Sequence, residues 1–293
     1  SQQLVDGLSK LVGLDLIAMV IAYLNAHCHS FRIKLARLIT QCYLYLHSTT
    51  GQVLMTTTEQ KNKNWQHGMP SLAEPNGLAV AHYRMGFLGN EQGLIFPREW
   101  LREQLASYII DEQGVGHLNG EPVYVFELQG RVEVPSMAWE SMRHFMMDKQ
   151  FTLFRLLAFA SQMGTWAREH RFCGSCGARM QQSTEHRVRF CEPCRVYQYP
   201  RLSPCMIVVV TRGDEILLGR SPRFVPGMYS ALAGYAEPNE TIEGCVEREV
   251  YEETKVKVKN IRYVGSQNWP YPHSMMFGFH AEYAGGEIVP EPE

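Results

Sequence analysis

From Gly77 onward the chain is dominated by short apolar or alternating runs bounded by Gly, Asn and Pro. "GLAVAHYRMGFLG", "GLIFPREWL" and "GEPVYVFELQG" predict strands and turns, because such runs suit a pleated sheet better than a helix. The period then changes. From Ser136 to His170 large apolar residues recur at helical spacing, which predicts helix with a Met and Phe stripe facing the core. After Arg201, "CMIVVVTRGDEILLGR" sets apolar segments on either side of Arg212-Gly213-Asp214, a β-hairpin pattern. "TIEGCVEREVYEETKV" reads as a helix with Ile242, Cys245, Val246 and Val250 on its apolar face and Asn239 or Thr241 as its cap. "KNIRYVGSQNWPYP" and "MMFGFHAEY" are strand-like again.

This order predicts an α+β chain with an α/β domain over 77–167, a cysteine module over 168–200 and a further α/β domain over 201–293. Residues 1–76 read as a leader. Its apolar run Leu11 to Ala26 contains Asp15 and is shorter than the about 18–20 residues a membrane span needs, so a helix off the membrane is the expectation. Met55, before a polar run, is a candidate start, and residues 1–54 read as upstream translation or an unrelated extension without assigned function.

Composition narrows the class. With 45% hydrophobic residues and a net charge of −2, 293 residues can build real cores, and a protein organised around bulk attraction to nucleic acid or membrane is disfavoured. Four of the eight cysteines form two C-x-x-C pairs, a metal pattern rather than a disulfide framework, which implies a reducing, cytoplasmic compartment.

Cys173 and Cys176 are followed by the same spacing at Cys191 and Cys194. Two such knuckles aim four thiolates at one point and predict a closed tetrahedral zinc site, a structural zinc ribbon with no coordination position left for substrate. Between Arg168 and Arg201 stand seven arginines (168, 171, 179, 187, 189, 195, 201) against three glutamates, which reads either as a phosphate-meeting surface or as an ordinary solvated face. Cys205 and Cys245, in apolar surroundings, are expected to be core residues.

The densest charge lies in residues 234–256, with seven glutamates against one arginine and one lysine. On a helix Glu249, Glu252 and Glu253 share one face beside the apolar stripe, where like charges repel unless a cation meets them. An oxygen-only, highly charged set suits Mg²⁺ or Mn²⁺. Arg248 is placed to orient one carboxylate.

The spacing of Gly234, Glu240, Arg248, Glu249, Val250, Glu252, Glu253 and Val256 resembles the Nudix box, with Lys255 where that family usually has Gly. "SQNWPYPHS" (266–274) resembles the signature of the NADH pyrophosphatase subfamily, with Asn268 and Tyr271 as departures, and a zinc ribbon before the Nudix domain is typical of its bacterial members. The resemblance implies a Nudix α/β/α sandwich over 201–293. It also implies that the domain is incomplete at its C-terminus, because family members continue past "EIVPEPE" with one more metal-binding glutamate.

The implied activity is hydrolysis of the pyrophosphate of NADH or NAD to nicotinamide mononucleotide and AMP, with removal of NAD caps from RNA. By resemblance Glu249, Glu252, Glu253 and the carbonyl of Ala233 hold the catalytic ions, Glu253 activates water, and Arg248 assists. Glu240 supports the loop and Arg248. Tyr199 and Tyr235 match positions that stack a base, and Gln267, Asn268, Trp269, Pro270, Tyr271, Pro272, His273 and Ser274 line the nucleotide pocket, with the two prolines stiffening an extended segment. A homodimer is expected. The competing readings are a Nudix hydrolase of another nucleoside diphosphate derivative and an inactive nucleotide- or RNA-binding module.

Overall fold

The computed structural model describes residues 64–147, 151–222, 224 and 226–290. The apolar run at 11–26 and Met55 lie outside them. The described chain divides into two units, one of residues 64–202 with Trp269–His273, the other of residues 203–268 and 274–290.

In the first unit β1 (Trp65–Gln66), β2 (Leu78–Tyr83), β3 (Gly86–Gly89), β4 (Phe96–Pro97), β5 (Ile109–Leu118), β6 (Glu121–Leu128) and β7 (Ala138–Ser141) form one sheet. Its order is β1-β5-β6-β2-β3-β7, with β4 also paired to β2 and with β2 and β6 parallel. Three helices accompany it: α1 (Arg98–Leu105), α2 (Met142–Met147) and α3 (Phe151–Glu169). Both faces of the central strands are buried, which is why they read as continuous apolar runs. Val80, Val123 and Val125 pack with Leu156, Leu157 and Met163 of α3. Ala79, Ala81, Tyr124 and Phe126 pack with Leu101 and Leu105 of α1.

Two expectations fail here. "GLIFPREWL" is not all strand and turn: Pro97 enters α1, whose Leu101 and Leu105, one turn apart, are fully buried. The helical reading of 136–170 fails at its start, where Ala138–Ser141 pairs antiparallel with β3. Pairing with an existing sheet outweighs local propensity in so short a segment.

A buried polar network ties β2, β6 and α3. His82 Nδ1 lies 2.5 Å from Glu127 Oε2 and its Nε2 3.0 Å from Ser161 Oγ, while Arg168 pairs with the other Glu127 oxygen. A Cβ on Gly164 would stand 2.5 Å from Glu127 Oε2, so the helix carries glycine there despite its cost of about 1 kcal/mol.

The cysteine module contributes a small sheet of β8 (Gln181–Gln182), β9 (Arg189–Cys191) and β10 (Val196–Gln198). It is bonded to the larger sheet. Arg189 donates to the Ala167 carbonyl at 2.6 Å and pairs with Asp111, Arg187 donates to the Gly114 carbonyl at 2.8 Å, and Gln182 and Gln113 exchange amide hydrogen bonds. Arg168, Arg187 and Arg189 therefore serve the interior, and the basic surface expected from seven arginines loses these three. Arg179, Arg195 and Arg201 are exposed.

The second unit is a five-stranded sheet of β11 (Ser203–Arg212), β12 (Glu215–Leu217), β13 (Leu232–Tyr235), β14 (Lys257–Trp269) and β15 (Ser274–Gly285), with one described helix, α4 (Ile242–Thr254). Trp269, at the end of β14, falls with the first unit. The β11–β12 hairpin turns at Gly213-Asp214, where Gly213 has φ of +59°. β11 runs parallel to β15 and antiparallel to β13. Met206, Val208, Val210 and Phe279 of the sheet pack with Cys245, Val246 and Val250 of α4. Each valine so buried contributes about 1.5–3 kcal/mol. Cys205 and Cys245 are buried as expected, and burial pushes their thiols up to about 11 and about 12. Among the described residues no helix is long and apolar enough to cross a membrane.

Candidate active site

The glutamate-rich segment enters α4 through a loop that its own side chains hold. Thr241, rather than Asn239, caps the helix, its hydroxyl accepting from Gly244 N at 3.1 Å. Asn239 takes a left-handed conformation, φ 65°, in the preceding turn. Glu240 Oε2 accepts from Glu237 N at 2.9 Å, closing that turn.

Arg248 gathers more carboxylates than the spacing alone implied. Its Nε and Nη2 hold Glu240 in a bidentate pair at 2.8 and 2.9 Å, and its Nη1 donates to Glu249 Oε1 at 2.9 Å and Glu252 Oε2 at 3.0 Å. Nη2 also donates to the Tyr235 carbonyl at 2.9 Å, so one guanidinium joins the loop, β13 and two acids of α4. Arg248 and the Glu237 amide hold the Glu240 carboxyl down at about 2.

β13 supplies the floor. A Cβ at Gly234 would lie 1.9 Å from Glu249 Cδ, so the carboxylate of Glu249 occupies the space a side chain at 234 would fill. Ala233, whose carbonyl is the expected fourth oxygen ligand, is exposed one residue earlier on the same strand. Glu253 lies one turn beyond Glu249 and is half-buried, whereas Glu252 and Glu243 are exposed. Glu249, Glu252 and Glu253 thus share α4, and Arg248 stands against the first two. An all-oxygen set of this charge suits Mg²⁺ or Mn²⁺.

The four cysteines converge. The sulfur atoms of Cys173, Cys176, Cys191 and Cys194 all lie within 4.8 Å of one another, and they are the one such group of potential metal ligands among the described residues. Backbone N–H groups of Ser175 and Cys176 lower the Cys173 thiol to about 6, while the neighbouring Cys176 sulfur pushes Cys194 up to about 12. Four sulfurs so close cannot all ionise without a cation among them, and the donor set fits Zn²⁺.

The remaining sequence candidates are dispersed in role. Tyr199 and Tyr235 are exposed, at 65% and 55%, each in a different unit. Gln267, Trp269 and His273 are half-buried and Asn268 and Pro272 exposed, but Pro270 and Ser274 are buried. The stretch expected to be extended instead turns between β14 and β15, with Tyr271 N donating to the Trp269 carbonyl at 2.8 Å. Tyr271 packs against the first unit's core with Arg143 over its ring at 5.3 Å, and that packing bends the segment. Burial lowers the His273 imidazole. Ser274 Oγ lies 2.8 Å from the Tyr235 hydroxyl. Sequence reasoning missed this pairing and the His82–Glu127 network, since both join residues far apart in the chain by side chains alone.

Comparison with known proteins places this arrangement. The description "NUDIX domain" matches residues 201–293, and "NADH pyrophosphatase-like rudimentary NUDIX domain" matches residues 50–166. The chain is 57% identical over 225 residues to NAD-capped RNA hydrolase NudC of Pseudomonas fluorescens (strain Pf0-1), covering 77% of this chain and 81% of that one. It belongs to the NADH pyrophosphatase family of Nudix hydrolases. Other members are similarly near. The protein of the same name from Pseudomonas aeruginosa (strain LESB58) is 57% identical over 227 residues, covering 78% and 81% of the two chains. That from Stutzerimonas stutzeri (strain A1501) is 55% identical over 231 residues, covering 78% and 83%. In the first unit, most of which the rudimentary Nudix description matches, β2 and β6 run parallel, as β11 and β15 do in the second.

Proposed function

We propose that this Nudix hydrolase cleaves the pyrophosphate of NADH or NAD to nicotinamide mononucleotide and AMP, and removes NAD caps from RNA in the same way. The observation that carries the reading is the identity of more than half over three quarters of the chain with proteins named NAD-capped RNA hydrolase. The carboxylate set of α4 supports it.

Glu249, Glu252, Glu253 and the Ala233 carbonyl would hold the catalytic Mg²⁺ or Mn²⁺. When bound, such ions neutralise the phosphate oxygens and favour ionisation of the attacking water. Glu253 takes the proton as the water oxygen bonds to phosphorus. The bridging P–O bond breaks, and each product leaves with one phosphate. Arg248 keeps Glu249 and Glu252 oriented through the loop that Glu240 braces, so the carboxylates are fixed before substrate arrives. Tyr235 offers a stacking face for a base, worth about 1–3 kcal/mol, and Tyr199 a second. The four cysteines hold structural Zn²⁺, and the protein works as a homodimer in a reducing, cytoplasmic compartment.

The test is hydrolysis of NADH, NAD and NAD-capped RNA with Mg²⁺ or Mn²⁺ added, for wild type, Glu253→Gln and Glu243→Gln. Glu253→Gln should lower kcat about 10²-fold, roughly 3 kcal/mol, because it removes charge and base together. Glu243, exposed on the same helix, is the control. Cleavage of all three substrates within a few-fold of wild type by Glu253→Gln would remove the carboxylates from the chemistry.

A further inference from the structure

Ser274 carries a hydroxyl but only 1% exposure, at the first position of β15, and a buried hydroxyl requires a partner. Its partner comes from two strands away. Tyr235 closes β13 opposite Cys205 of β11, and Ser274 begins β15 opposite Ser203 of the same β11. The Tyr235 hydroxyl meets Ser274 Oγ at 2.8 Å, so the phenol ring lies across β11. The ring nevertheless remains 55% exposed. Its backbone is fixed as well, since the Tyr235 carbonyl accepts from Arg248 Nη2 at 2.9 Å.

An exposed tyrosine at a strand end ordinarily samples several rotamers, and a ligand that stacks on it must select one. Here the hydroxyl end is tied down. The rest of the ring stays open to solvent as a flat surface. Phenylalanine could offer the same face but not the tether.

We infer that Ser274 is a positioning residue for the nucleotide platform, its buried hydroxyl clamping the Tyr235 ring across β11 in the orientation that accepts a base. Its side chain is spent on Tyr235 rather than on the substrate. The inference rests on the reading of Tyr235 as a base-stacking residue, and the two can fail separately.

The experiment uses the full chain, NADH as probe, and the variants Tyr235→Ala, Tyr235→Phe, Ser274→Ala and the double variant Ser274→Ala/Tyr235→Phe. Binding is read from NADH fluorescence without added divalent ion, and KM and kcat from hydrolysis with Mn²⁺. Ser274→Ala and Tyr235→Phe should each weaken NADH binding roughly three- to tenfold, the worth of one hydrogen bond, with the loss in KM rather than kcat. The double variant should be no weaker than either single one, because both remove the same clamp. Tyr235→Ala should be weaker than all three. If Tyr235→Ala binds NADH as wild type does, the platform reading falls and the clamp with it. If Tyr235→Ala is weakened while Ser274→Ala keeps wild-type Kd and KM, or the two single losses add in the double variant, the platform stands and the clamp is overturned.

Discussion

The carboxylate of Glu249 lies over the backbone of Gly234, where a methyl group at 234 would stand 1.9 Å from Glu249 Cδ. The obstructing atoms are the far end of a flexible side chain, so Gly234→Ala should displace the carboxylate while leaving the β11–β13 pairing in place. The expected outcome is a thermal midpoint near wild type with kcat for NADH reduced about 10²-fold, since displacement by an ångström suffices for such a loss. Calorimetry and steady-state kinetics on one preparation would check it; a fall in stability without a fall in kcat would contradict it.

Glu240 should make stability depend on acid pH. Its folded carboxyl is held at about 2 against an ordinary value of 4.5. The group's contribution is therefore complete above 4.5 and is lost as pH falls toward about 2. Glu240→Gln should lower the melting temperature by roughly 2–4 °C at neutral pH. The difference from wild type should narrow steadily below pH 4.5, as thermal melts across that range would record.

Removing one thiolate should empty the ribbon. Cys173→Ser or Cys191→Ser leaves three sulfurs of a four-sulfur cluster, and bound zinc should fall from about one per chain toward none. Because Arg189 and Gln182 of the ribbon bond to Asp111 and Gln113, amide protection along β5 should fall as well. Elemental analysis and hydrogen exchange read the two effects independently.

Lys255 ends α4 in the left-handed region, φ 61°, with its amide donating to the Tyr251 carbonyl at 2.8 Å. Glycine adopts that conformation without a Cβ penalty. Lys255→Gly relieves the strain but forfeits the ammonium's hydrogen bond to the Glu252 carbonyl at 3.1 Å, so the net gain should be about 0.5 kcal/mol. A melting temperature at or slightly above wild type is expected, with NADH turnover unchanged.

Much of the site was legible in one dimension because its chemistry is local. The cysteine pairs lie on two tight knuckles, so their spacing brings four sulfurs together, and the glutamates at 249, 252 and 253 lie within the one helix α4. The hairpin at Gly213-Asp214 and the cap at Thr241 were legible for the same reason. Less local elements were misread. Ala138–Ser141 looks helical until β3 offers it a partner, and the turn after Trp269 looks extended until Tyr271 finds a core to pack against.

The sequence by itself thus determined the family, the four-cysteine cluster and the glutamate-rich helix, since each depends on residues a few positions apart whose geometry the backbone period dictates. Tertiary structure decided what distant side chains do to one another. Arg248 holds three glutamates rather than one, Arg168 of α3 and two of the ribbon's arginines turn inward, and the Ser274 hydroxyl meets that of Tyr235. Those outcomes follow from which buried polar groups require partners once strands remote in sequence are laid side by side, and no periodicity encodes that.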